Sequence, residues 1–192
     1  MYFQEFFSEG VKIFPIFHIA IPLLLFEIPQ IKKRYRVNRL ALIIGSILPD
    51  VVDKMLVFLK LANGRGYFHT VLFAILCFSI LFLLSKGNKI ISISFLIGMT
   101  FHLLLDLPGV PLFYPFIYYD FMYTEDPFSL WMHTLLTNPV VQATELFGVF
   151  ILIFIVINNK LYNFKNIANY LITNPEIIIH LKKDTELIIS ED

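Results

Sequence analysis

The chain has 192 residues, with 15 basic and 15 acidic side chains and a formal net charge of zero. Its hydrophobic fraction is 57%, its charged fraction 16% and its mean hydropathy +0.73, against about 25% charged residues in a typical soluble domain. So little charge excludes a water-covered globule and points to an integral membrane protein; zero net charge gives no general attraction for nucleic acid, which is not expected as a partner.

A bilayer core about 30 Å thick takes roughly 20 apolar residues as helix. Five segments approach this length: about 11–30, 40–61, 68–85, 90–107 and 140–158. The amino-terminal stretch lacks the short apolar core and small-residue cleavage site of a secretory signal. The second segment, "LALIIGSILPDVVDKMLVFLKL", carries Pro49, Asp50, Asp53 and Lys54 in its middle. Proline removes a backbone bond, so the expectation is a helix to about Leu48 and a second piece from near Pro49. Cys77 is the single cysteine and lies in an apolar run, so no intrachain disulfide forms. The stretch 108–139 is aromatic, proline-rich and free of Lys and Arg. It reads as an interfacial aromatic belt or as a lid with His133, Asp120 and Asp126 as extra polar groups. The division is a membrane-embedded domain, 1–158, and a polar tail, 159–192, where His180 is read as solvated.

Lysine and arginine set the orientation. If all five segments cross, Lys32, Lys33, Arg34, Arg36, Arg39, Lys86, Lys89, Lys160, Lys165, Lys182 and Lys183 share one side, and only Lys12, Lys60 and Arg65 lie on the other. Eleven against three puts the carboxyl terminus in the cytoplasm and the amino terminus outside, in a multi-pass protein of the cell membrane.

Ionisable groups within a span cost roughly 2.5 kcal/mol or more each at its centre and need a partner, water or a metal. Here they are His18, Asp50, Asp53, His69, His102 and Asp106. With the orientation above, all six fall in the outer half. His102 and Asp106 stand at i, i+4 and Asp50 and Asp53 at i, i+3, so each pair shares a helix face. Imidazole and carboxylate are the ligand set of a hydrolytic zinc or similar divalent site. Three histidines and two or three carboxylates suffice for one or two ions, which would offset the buried negative charge. The alternative is a set of hydrogen-bonded structural pairs or a proton relay, and Asp53 could instead pair with Lys54 or cap a helix.

Four pieces, in order, resemble the membrane-bound metal-dependent hydrolases, including a bacterial branch described as LexA-binding inner-membrane hydrolases. They are His18, "GSILPDVVD" (Gly45–Asp53), "GRGYFHT" (Gly64–Thr70) and "GMTFHLLLD" (Gly98–Asp106), spread over about residues 15–110. This chain departs from the family pattern where Gly64 and Phe68 replace a histidine and a threonine. The resemblance extends distantly to zinc-dependent phospholipase C and the zinc nucleases. It implies an all-α bundle of about five spans with a phospholipase C/zinc nuclease-like helical core. It implies one ion on Asp50, His69, His102 and Asp106, and a second on His18, a bridging Asp106 and Asp53. Asp50 or Asp53 would act as general base, and Arg65 would hold a substrate phosphate. The soluble relatives' H-x-x-x-E helix is missing, and Glu145, with Gln142 one turn before it, is either a substitute near the site or a capped glutamate.

The expected function is therefore hydrolysis of a phosphate ester, on a membrane lipid or another amphipathic substrate, with metal-activated water. The competing readings are a transporter or ion relay, a membrane scaffold working through the basic loop and tail, and a degenerate hydrolase. Oligomeric state is not indicated by the sequence.

Overall fold

A computed structural model describes residues 14–61, 66–119 and 126–172. Every regular element among them is helical: α1 Pro15–Leu25, α2 Pro29–Arg34, α3 Arg39–Phe58, α4 Val71–Leu84, α5 Lys89–Leu105, α6 Pro127–Thr137, α7 Pro139–Asn158 and α8 Phe164–Ile172. The starts are written in the sequence. Asn38, Thr70, Asn88 and Asn138 each accept from backbone N–H groups of the first turn of α3, α4, α5 and α7, which supplies partners for otherwise orphaned donors. Three ends are also alike. Lys60, Lys86 and Lys160 follow α3, α4 and α7 with φ of 58°, 54° and 53°. The next residue's N–H then closes back onto Leu56, Phe82 and Val156, the Schellman pattern, with lysine where glycine is usual.

The central pair is α3 and α5; α1 packs on α3 and α7, and α4 flanks α5. Glycines make the central contact possible. A Cβ on Gly45 would collide with the Phe95 carbonyl, and one on Gly98 with the Leu42 carbonyl, so the two backbones touch. The core is apolar on either side of that contact, with Ala20, Leu23, Leu42, Ile151 and Ile155 on one side and Ala41, Ala74, Phe95, Met99 and Leu103 on the other.

The distribution of polarity is the reverse of a water-soluble protein. Exposed large apolar side chains cover α4 (Leu72, Ile75, Leu76, Ile80, Leu83, Leu84) and α7 (Leu146, Phe147, Phe150, Ile153, Phe154, Ile157), whereas His18, Arg39, Asp50, Asp53, His69, His102 and Asp106 are buried. One described helix, α7, is by itself long and apolar enough to cross a membrane; α1, α4 and α5 are apolar but shorter. With 20 residues, α3 matches α7 in length but carries the charged positions.

Two expectations change. The second segment is not broken at Pro49: α3 runs unbroken from Arg39 to Phe58. Buried residues on both sides of the proline, from Gly45 to Asp53, keep the two halves on one axis. Arg39, counted above with the basic loop, is sealed at 0% exposure. It pairs with Glu27 (3.4 Å), donates to the Tyr170 carbonyl (3.3 Å) and stacks on the Tyr170 ring (4.3 Å). Glu27 also accepts from Lys32, Asn159 and the Tyr170 hydroxyl, each at 3.0 Å. Burial and the Glu27 carboxylate push the Tyr170 phenol up from its ordinary value, so it stays protonated and donates. This network fastens α8 to the end of the bundle opposite His18.

The glycine contact yields a direct test. Gly98→Val forces α3 and α5 apart and should cost about 1–3 kcal/mol, read as a lower thermal unfolding midpoint of the detergent-purified protein. Val at exposed Leu84 serves as the control and should leave the midpoint unchanged.

Candidate metal centre

Four helices present their polar residues at the same end of the bundle. His18 is in the first turn of α1, Asp50 and Asp53 are in the later half of α3, His69 immediately precedes the Thr70 cap of α4, and His102 and Asp106 close α5. Each is buried. Glu145 of α7 accepts from the backbone N–H groups of Ile16 (3.3 Å) and Phe17 (3.0 Å), so it caps α1 and fixes the turn that carries His18. That is the capped-glutamate alternative of the sequence reading.

The hydrogen bonds decide which imidazole nitrogen is available. His102 Nδ1 donates to the Ser46 carbonyl at 2.8 Å, and His18 Nδ1 to the Phe14 carbonyl at 3.0 Å. His69 Nδ1 donates to Asp53 Oδ2 at 2.7 Å. Carbonyl and carboxylate oxygens only accept, so all three Nδ1 atoms carry the proton. In the neutral rings Nε2 then holds a lone pair, and this arrangement is the usual support of a metal-ligating histidine.

Those lone pairs meet carboxylates. His69 Nε2 lies 3.1 Å from His102 Nε2, 3.3 Å from Asp50 Oδ1 and 3.5 Å from Asp106 Oδ2. His102 Nε2 lies 3.9 Å from Asp50 Oδ1 and 3.3 Å from Asp106 Oδ2. One ligand atom from each of Asp50, His69, His102 and Asp106 falls within 4.8 Å of all the others. A tetrahedron of ligands about 2.0–2.1 Å from a zinc ion has edges of about 3.3–3.4 Å, so these separations fit a common cation. Two facing imidazole lone pairs at 3.1 Å repel unless a proton or cation lies between them, and two neighbouring carboxylates strengthen the demand for positive charge.

Residues 15–167, most of the chain, match the family model described as YdjM inner membrane protein. The chain belongs to the YdjM inner membrane protein family. The matched span contains every residue of the cluster in this YdjM chain. No curated protein and no solved structure matches it.

The sequence-predicted site residues separate into three groups. Asp50, His69, His102 and Asp106 converge, as expected for one ion. His18 stands beside them: its Nε2 is buried without a hydrogen-bond partner, 3.5 Å from Asp106 Oδ1, and its ring centroid is 4.3 Å from that of His102. Asp53 faces away from the convergence point, on the far side of the His69 ring, and also accepts from the Gly66 N–H at 3.1 Å. It is a positioning residue here. Neither Asp53 nor Asp50 is disengaged, since Asp50 Oδ2 is 2.7 Å from Lys54 Nζ. Arg65, Gly64 and Asp120 lie outside the described residues, as does His180. His133 is exposed and contacts Thr137 on its own helix, and Asp126 caps α6 through Ser129 N–H.

Sequence reasoning missed the Ser46 and Phe14 carbonyls. The signal for Phe14 was its place four residues before His18; Ser46 required knowing the α3–α5 register. If Asp53 orients His69, Asp53→Ala should weaken zinc affinity about 10–100-fold, measured by competition with a chelating dye. Affinity equal to the unaltered protein would remove Asp53 from that role.

Proposed function

We propose that this YdjM-family chain is a five-span inner-membrane hydrolase, amino terminus outside, that uses one or two zinc ions to cleave a phosphate ester of a lipid or other amphipathic molecule. One observation carries the reading: His69 and His102, tied down through Nδ1, bring their Nε2 atoms 3.3–3.9 Å from the Asp50 and Asp106 carboxylates, and the four ligand atoms lie within 4.8 Å of one another. Zinc suits that nitrogen and oxygen set. The five-span topology is supported by α7, by the apolar exteriors of α4 and α7 and by the eleven-to-three partition of basic residues.

When bound, a divalent cation acidifies a coordinated water and polarises a phosphoryl oxygen. The chain's own groups do the rest. Asp50 and Asp106 would bring two negative charges to the cation, and His69 and His102 would be its neutral ligands. Asp53 and the Ser46 carbonyl hold the two rings in the required tautomer. His18 Nε2 and Asp106 Oδ1, 3.5 Å apart, form a second pair of donors that can share an ion or receive a proton from the attacking water. Burial of the cluster excludes bulk water, which strengthens each of these interactions.

The ion-relay alternative needs polar groups along the whole bundle. After His18 on α1, and between Arg39 and Ser46 on α3, the buried side chains Ala20, Leu23, Ala41 and Leu42 are apolar, which argues against a conducting path.

The test is metal analysis of detergent-purified protein, alongside hydrolysis of bis(p-nitrophenyl) phosphate. About one zinc or more per chain is expected, with His102→Ala and Asp106→Ala losing both metal and hydrolysis, and chelation abolishing turnover until zinc is restored. Less than about 0.2 metal per chain, unchanged in His102→Ala, would reject the centre. Bound metal with no hydrolysis of any phosphate ester would reject the enzyme and leave a metal-binding membrane protein.

A further inference from the structure

Lys54 plays no part in the centre as described, yet it is joined to it. It lies one turn after Asp50 on α3, where i, i+4 residues face each other. Its Nζ is 2.7 Å from Asp50 Oδ2, while Asp50 Oδ1 faces His69 and His102. One carboxylate therefore links an ammonium to the cluster. The side chain of Lys54 is 34% exposed, whereas those of His69, His102 and Asp106 are sealed. Lys54 thus marks the edge where the cluster meets its surroundings.

Two aromatic rings flank the ammonium: Phe14, ahead of α1, at 5.8 Å and Trp131, on α6, at 5.6 Å. Ring faces attract a cation but do not use up its hydrogen bonds as an oxygen would. Of three N–H donors on a lysine, one is directed at Asp50. The others remain for an oxygen arriving from outside. Charge balance points the same way. Beside Asp50, Asp53 and Asp106 a divalent ion leaves one negative charge uncompensated, and that charge repels an anion. Lys54 offsets it at the mouth and presents its ammonium to an arriving phosphate. The same helix α6 that carries Trp131 also exposes Phe128 and Leu136, each 67%.

We infer that Lys54 is the anion-recognition residue of the site: it holds a phosphoryl oxygen of the substrate at the mouth between α3 and α6, and so selects phosphate esters over neutral esters. The inference rests on the metal-centre reading and names the group that gives it substrate preference. No proton needs to move and no bond needs to form; the contact is a charge-assisted hydrogen bond.

The test uses full-length protein in detergent, loaded with cobalt(II), whose d–d absorption reports the metal environment. Inorganic phosphate and dihexanoyl phosphatidic acid are titrated separately into the unaltered protein, Lys54→Met and Lys54→Arg. All three proteins should give the same spectrum before addition. Lys54→Met should need about tenfold or more of either phosphate compound to reach the midpoint, and Lys54→Arg should restore most of the affinity. A tighter midpoint for the lipid assigns recognition to a membrane phosphate; equal midpoints assign it to the phosphoryl group alone, and both support the role. A Lys54→Met midpoint within twofold of the unaltered protein overturns it. Loss of the cobalt spectrum in Lys54→Met also overturns it, making Lys54 a support for Asp50. Absence of the spectrum from the unaltered protein sinks the metal centre first, and the Lys54 role with it.

Discussion

The contact between α3 and α5 at Gly45 and Gly98 governs the polar end of the bundle. With a side chain at either position, the backbones would stand further apart. The Ser46 carbonyl would then leave the reach of His102 Nδ1, now 2.8 Å away. Loss of that bond frees the ring to rotate and to change tautomer, and the Nε2 lone pair no longer has a fixed direction. The geometry of the cluster thus depends on the absence of two methyl groups at Gly45 and Gly98.

Electrostatics explains why the cluster is arranged in layers. A carboxylate taken out of water is costly unless compensated, and Asp50, Asp53 and Asp106 stand close together. Two of them meet donors of the chain itself: Asp53 receives the His69 N–H and the Gly66 N–H, and Asp50 is met by Lys54 on one oxygen. Around Asp106 stand the Nε2 atoms of His18, His69 and His102, an arrangement that a cation would stabilise. At the far end the same problem is solved differently. Glu27 is neutralised directly by Arg39 and Lys32, with Asn159 and Tyr170 completing its hydrogen bonds. One end is saturated by cations of the protein itself; the other is left with facing nitrogen lone pairs.

Much of this was legible in the sequence because spacing along a helix translates into a shared face. The i, i+4 spacing of His102 and Asp106, and the expectation that six ionisable residues share one depth, brought together Asp50, His69, His102 and Asp106, which the fold also brings together. What the spacing could not convey is rotation about the helix axis. Asp50 and Asp53 share a face, but the three-residue offset turns one toward the cluster and the other toward the back of His69. Lys54, adjacent in sequence to Asp53, reaches instead to Asp50 one turn away. The proline expectation failed because propensity at Pro49 is local, and the packing of α3 against α5 is not. Arg39 looked like a loop charge because its partners, Glu27 and Tyr170, lie 12 and 131 residues away.

The order in which the ligands occur along the chain has a consequence for biogenesis. Asp50 and Asp53 are made on α3 well before His102 and Asp106. During that interval Lys54 and the turn bearing His69 are the nearby groups able to shelter them. Asp106 ends α5, so the group of Asp50, His69, His102 and Asp106 is complete only when the chain through that residue has been made. Any cation held there would be captured late in maturation, joining elements made at different times.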